Sequence, residues 1–227
     1  RGLCRVIFGL SQDAVTALSA ALRAHAASVP AITDAEELFC RLDRQYPDDR
    51  GALFAFLLNH KRLCPGESLF LAPNSPHAYI CGTGIECMTN SDNVIRAGLT
   101  GKAIDVPTLL ATVDFSRHGA EAVAPAAERA GQGEILSYNP PTPKFQLKIL
   151  NDAPLELQSC PEGLGMLLVL SGEMRLTDDF GENAAPRGSC WVRPSALRNG
   201  RAVPTASGTR AAWVQTGFAP ARSQADR

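Results

Sequence analysis

Residues 166–177 read MLLVLSGEMRLT, and this stretch decides the fold expected of the chain. An apolar run of strand length, a Ser171-Gly172 turn signal and a second run predict a β-hairpin. The same texture extends outward: Phe145, Leu147 and Ile149 alternate, as do Leu155 and Leu157, and Ser189–Arg193 and Ala211–Gly217 complete a series of short strands. From Ile135 to Phe218 the chain therefore predicts a β-sandwich or jelly-roll barrel. Further short apolar or alternating runs precede it, at Ala52–Asn59, Ser68–Ala72, His77–Cys81, Ile85–Thr89 and Val94–Ala97, all read as strands. Asp105-Val106-Pro107 predicts the cap and first turn of a short helix reaching about Phe115. Ser116–Glu134, rich in Ala and Gly without apolar period, reads as a linker. At the N-terminal side, Ser11–Ser28 predicts a helix with Val15, Leu18 and Leu22 inward, and Thr33 with Glu36 forms a capping-box pattern for a second helix with Leu38, Leu42 and Tyr46 on one face. The expected class is α+β, mainly β, with segments at 1–50 (helical), 51–115 (strands and a short helix), 116–134 (linker) and 135–227 (barrel).

Composition narrows the function classes. With 227 residues, 45% of them hydrophobic and 20% charged, the chain holds enough apolar material for a real core, which excludes disordered and fibrous classes. A net charge of −1 gives no general attraction to nucleic acid or to acidic membranes. Residues 183–227 carry seven Arg and one Asp, but the few aromatics among them are not interleaved as a single-strand binder would need, so this stretch reads as a solvated Arg-rich face or a compositional bias. No apolar run approaches the roughly 18 residues of a membrane span, and the N-terminal RGLCRVIFGL has no long apolar region or cleavage site. The expectation is a soluble, cytoplasmic protein. Seven scattered cysteines without a Cys-x-x-Cys pair argue against a disulfide framework or a zinc knuckle. Nucleophile-elbow, phosphate-loop and dinucleotide-binding signatures are lacking.

The chemically informative block is Pro73–Thr108, PNSPHAYICGTGIECMTNSDNVIRAGLTGKAIDVPT. Read as strands and turns, it places His77 and Tyr79 on one face, since residues two apart in a strand point the same way. With an even number of residues in the intervening loop, Glu86 faces the side of His77. An imidazole beside a carboxylate and the cations Arg96 and Lys102 suggests a metal or proton-transfer site. Taken singly, each residue also has a plain reading: His77 as a hydrogen-bonded structural residue, Glu86 as a solvated strand residue, Arg96 and Lys102 as surface charges, Tyr79 as a wall of the core. Cys81 and Cys87 read as small core hydrophobes, and His25, His60 and His118 as structural or exposed.

The segments PGESLFLAPNSPHAY (65–79) and IECMTNSDNVIRAGLTGKAIDVPTL (85–109) resemble the zinc-dependent type I mannose-6-phosphate isomerases, or phosphomannose isomerases. The SDNVIRAGLT core, with HAY and ECM at matching intervals before it, is the specific part; weaker similarity extends over the whole chain. The resemblance implies cupin barrels, one partial and one complete, behind a remnant of a helical domain. It implies an enzyme that interconverts mannose 6-phosphate and fructose 6-phosphate through an enediol, supplies precursor for GDP-mannose, and uses one zinc ion. It places His77 at a zinc ligand, Arg96 at the catalytic arginine, Glu86 and Lys102 at acidic and basic active-site positions, and Tyr79 on the pocket strand. A monomer binding a small sugar phosphate, with no nucleic acid or membrane partner, is expected.

Two departures qualify that expectation. The family's Leu-Thr-Pro-Lys reads Leu99-Thr100-Gly101-Lys102, so the turn before Lys102 is looser. The family's other zinc ligands, a Gln-x-His pair and a Glu, have no counterpart in this sequence, whereas a catalytic zinc takes three protein ligands. With Arg1 in first place, a partial sequence that is inactive alone is expected, and a non-catalytic sugar-phosphate-binding protein is the rival. Another cupin metalloenzyme, such as an oxygenase, lacks the cluster of histidines it would need.

Overall fold

A computed structural model describes residues 1–227 except 92, 117–120, 158–162, 198 and 217–227. The chain divides into two compact units, the first made of Arg1–Arg62, Leu71–Cys81 and Ser91–Ala120, the second of Leu63–Phe70, Gly82–Asn90 and Glu121–Arg227.

The first unit is helical. Helix α1 spans Gly2–Gly9, α2 Gln12–Ser28, α3 Asp34–Gln45 and α4 Val106–Thr112, with a 3-10 helix at Arg50–Phe56. Their starts follow from side-chain caps: Ser11 accepts from the Ala14 amide, Thr33 and Glu36 form the reciprocal box, and Asp105 accepts from the Thr108 amide at 3.0 Å ahead of Pro107. The core gathers Ile7, Phe39, Leu42, Ala52, Leu53 and Ala55. Helix α2 buries Val15 and Ser19 while Leu18 is exposed, and α3 buries Phe39, Leu42 and Asp43 with Tyr46 exposed at its C-cap. Val15, Leu22, Leu38 and Leu42 of the expected faces are buried or packed against the core, and only Leu18 and Tyr46 fall outside them. Asp43 widens the buried stripe of α3 because its carboxylate is paired with Arg23 of α2, which also approaches Asp48 at 3.6 Å. Helix α1 had no periodic signal, because only its last turn, at Ile7 and Phe8, is buried.

Several expected strands do not form. Ala52–Asn59 becomes the 3-10 helix, because Gly51, Ala52, Leu53 and Ala55 are all buried, a run that an alternating strand cannot bury on one face. His77–Cys81, Ile85–Thr89 and Val94–Ala97 form no strand. Their apolar side chains are largely exposed, as at Tyr79, Met88 and Val94, and no strand pairs with them among the described residues. The face-sharing argument for His77, Tyr79 and Glu86 therefore loses its strand basis.

The second unit is an antiparallel β-sandwich. Its strands are β1 (Leu69–Phe70), β2 (Glu121–Ala122), β3 (Ala126–Ala130), β4 (Gly133–Tyr138), β5 (Gln146–Asn151), β6 (Leu155–Glu156), β7 (Gly165–Ser171), β8 (Glu173–Asp178), β9 (Gly181–Pro186), β10 (Cys190–Arg193), β11 (Gly200–Pro204) and β12 (Arg210–Gln215). One sheet runs β10-β7-β12-β5-β4-β3, the other β6-β11-β8-β9, and β1 pairs with β2. Leu150, Leu167 and Trp213 of the first sheet meet Leu155, Met174 and Ala202 of the second in one core. The α+β, mainly β class holds. The stretch at 166–177, however, is not a hairpin: β7 and β8 belong to different sheets, and Ser171-Gly172 is the corner between them. Gly172 has φ +69, and a Cβ there would lie 2.3 Å from Thr209 Oγ1, so the corner needs glycine on both counts. The expected linker 116–134 holds β2, β3 and the start of β4 instead; β3 is an exposed edge strand held by backbone pairing with β4, so it carries no apolar alternation. Among the described residues, no helix is long and apolar enough to cross a membrane.

Candidate active site

Within the first unit, residues 71–81 and 91–102 are tied to the helices. Residues 73–80 are tied at both ends: Asp114 donates its amide to Asn74 O at 3.0 Å, with Asn74 at φ 65, and Arg41 of α3 donates to Ile80 O at 3.3 Å. Between these ties His77 and Tyr79 are exposed, Tyr79 to 72%, with ring centroids 6.0 Å apart at 71°. Tyr79 is therefore no wall of the core; it stands edge-on beside the imidazole. His77 Nδ1 lies 2.9 Å from Ser75 O. With the proton on Nδ1 donated to that carbonyl, Nε2 keeps a lone pair for a ligand or a proton.

Arg96 is half-buried and Lys102 exposed, on a segment seated against the start of the 3-10 helix. Asp49 accepts from the Leu99 amide at 3.0 Å through one carboxylate oxygen and from the Gly51 amide at 2.7 Å through the other. Gly98, at φ +149, lies so close to Gly51 that a Cβ on Gly98 would come within 2.6 Å of Gly51 Cα. Lys102 N donates to Thr100 Oγ1 at 3.2 Å, a local turn that forms with Gly101 in place of proline. The first unit thus holds His77, Tyr79, Arg96 and Lys102, while Glu86 is exposed in the second unit. Asp49 and Arg41 were missed from sequence; Asp49 sits in the polar Pro47–Gly51 stretch, where only its position two residues ahead of a glycine hinted at a role.

Other titratable groups are engaged elsewhere. His25 Nε2 lies 3.2 Å from Glu36, and His60 Nε2 2.8 Å from Ala55 O. Hydrogen bonds from the Thr33 backbone and hydroxyl hold the Glu36 carboxyl below its ordinary value. Burial, and secondarily Glu86, push the Cys87 thiol up, as suits a small hydrophobe, whereas Cys81 is exposed. His118 and Cys160 lie outside the described residues. A metal is tested by the donor set: among the described residues, no group of three or more His, Cys, Asp or Glu could hold an ion. His77 suits one coordination position, but these residues alone do not make a zinc centre.

No family model matches the chain. It is 36% identical over 167 residues to mannose-6-phosphate isomerase 1 of Arabidopsis thaliana, covering 72% of this chain and 38% of that protein. It is 38% identical over 156 residues to the mannose-6-phosphate isomerase of Schizosaccharomyces pombe, covering 66% of this chain and 38% of that protein. The chain is a homologue of the mannose-6-phosphate isomerases. It also matches a crystal structure of a zinc-bound mannose 6-phosphate isomerase with a TM-score of 0.73 and 25% identity, over 96% of this chain and 54% of that one. The mainly β cupin fold expected from the resemblance therefore stands, and the chain spans only about two fifths of the length of these curated mannose-6-phosphate isomerases.

Proposed function

We propose that this chain is the part of a zinc-dependent aldose–ketose isomerase that carries Arg96, interconverting mannose 6-phosphate and fructose 6-phosphate. The observation that carries this reading is the identity to mannose-6-phosphate isomerases over 167 residues, 72% of the chain. The chain's own residues supply the polar chemistry such a reaction needs. Glu86 takes a proton from the carbon beside the carbonyl and returns it to the former carbonyl carbon, while the hydroxyl proton passes between the two substrate oxygens. Arg96, half-buried and held on a seated loop, offsets the negative charge of the enediolate, and Lys102 that of the phosphate. Tyr79 lines the sugar pocket beside His77. A zinc ion would polarise the substrate oxygens; His77 would be one of its ligands, the others coming from parts of the family's length that this sequence does not span. The pathway role is GDP-mannose precursor supply by a cytoplasmic monomer, with 51–115 belonging to the catalytic barrel and 135–227 to the second one.

Metal content of the purified 227-residue chain, measured with isomerase activity in added zinc, is the first test. The expected result is far less than one zinc per chain and no turnover. Near-stoichiometric zinc with turnover would show that the chain completes its own centre. Retained sugar-phosphate binding by a chain whose complete gene product neither holds zinc nor turns over would favour the non-catalytic binding protein, which the single candidate ligand among the described residues also allows. In the complete gene product, Arg96→Ala is expected to abolish turnover, a loss of at least about a hundredfold, with zinc content intact. Unchanged turnover would remove Arg96 from the mechanism.

A further inference from the structure

We infer that Asp49 is a positioning residue for Arg96, an inference that rests on the functional reading above. Its carboxylate joins two elements distant in sequence. One oxygen caps the 3-10 helix through the Gly51 amide at 2.7 Å, and the other receives the Leu99 amide at 3.0 Å, three residues beyond Arg96. Leu99 has φ 54 and Gly98 φ +149, so two consecutive residues after Ala97 hold backbone conformations that L side chains rarely adopt. A loop in that state stays in place only when its surroundings over-determine it. The described surroundings do this with a charged acceptor, a close backbone contact and apolar packing: Asp49; Gly51 against Gly98, where an added Cβ on Gly51 would meet Gly98 Cα and Leu99 N at 2.9 Å; and Leu99 packed against the core of the helical unit. Because the Gly51 end belongs to a helix packed in the buried core with Phe39 and Leu42, the clamp passes the rigidity of that core to the segment carrying the guanidinium.

Asp49→Asn tests this. Asparagine has one acceptor oxygen; its NH2 cannot face an amide N–H, so if the oxygen keeps the nearer Gly51 amide, Leu99 loses its acceptor. In the 227-residue chain, hydrogen exchange at the Leu99 amide should rise at least about tenfold, the Gly51 amide and the α3 amides of Phe39 and Leu42 staying within about twofold. In the complete gene product kcat should fall at least about tenfold with KM within about twofold, the mark of lost positioning rather than lost binding. An unchanged Leu99 rate, a rise spread equally through α3, or an unchanged kcat despite faster Leu99 exchange would each overturn the inference. Failure of the functional reading shows differently: there Arg96→Ala leaves turnover unchanged, whatever Leu99 does. If Asp49→Asn does not fold, Asp49→Ser, with a shorter acceptor able to cap Gly51 but not to reach Leu99, is subject to the same readings.

Discussion

Gly98→Ala unseats the loop that carries Arg96 and destabilises the helical unit by roughly 2–6 kcal/mol. Two independent costs add. A Cβ at this position would sit 2.6 Å from Gly51 Cα and 3.1 Å from an Asp49 carboxylate oxygen; the nearer atom belongs to the backbone, which cannot swing aside as a side chain can. Overpacking of this kind costs typically about 1–3 kcal/mol. The φ of +149 adds about 1–3 kcal/mol for any L residue, since that region is essentially open only to glycine. Gly51→Ala approaches the same contact from the other side, but without the dihedral cost, and should be milder. Chemical denaturation of both variants checks the ranking: equally lowered midpoints would remove the dihedral cost, and midpoints unshifted from the parent would mean that the two glycines are not in hard contact.

Trp213→Ala should cost about 3–5 kcal/mol, the range for deleting a buried large aromatic side chain. Trp213 is 3% exposed and lies on β12 between β5 and β7, with its indole N–H donated to Gln215 at 3.0 Å. Its ring covers Gly165 so closely that a Cβ there would fall 2.0 Å from the ring carbon Cη2, so the cavity left by alanine opens beside a residue with no side chain to fill it. A lowered urea midpoint for the β unit, followed by circular dichroism, checks this; a shift worth less than about 1 kcal/mol would show that the sandwich collapses around the gap.

The fold was legible where side chains repeat with a period and the core reads that period. The alternation at Leu147 and Ile149 places β5, the capping box places α3, and Asp105 with Pro107 places α4. Legibility failed where tertiary context decides. An apolar run at 52–58 has the composition of a strand, yet packing against α3 wound its first part into a 3-10 helix. The edge strand β3 buries almost nothing and so left no pattern. For the candidate site, the proposed residues His77, Tyr79, Arg96 and Lys102 all come from one motif, and of these the rings of His77 and Tyr79 lie side by side. The supports were not legible: an aspartate two residues before a glycine looks like any polar break until Leu99, fifty residues later, is found on its other oxygen.

The strand order of the sandwich bears on how the chain is made. β12, with neighbours β7 and β5, is an inner strand of its sheet and the last strand described. Each of its pairings spans tens of residues, up to Gln146 with Gln215, so on emergence from the ribosome the helices of the first unit, with mostly local contacts, can form early. The sheet cannot. Until Arg210–Gln215 arrives, β5 and β7 face an empty slot with unpaired amides and carbonyls, and the hydrophobic seam under Trp213 stays open to water and to other nascent chains.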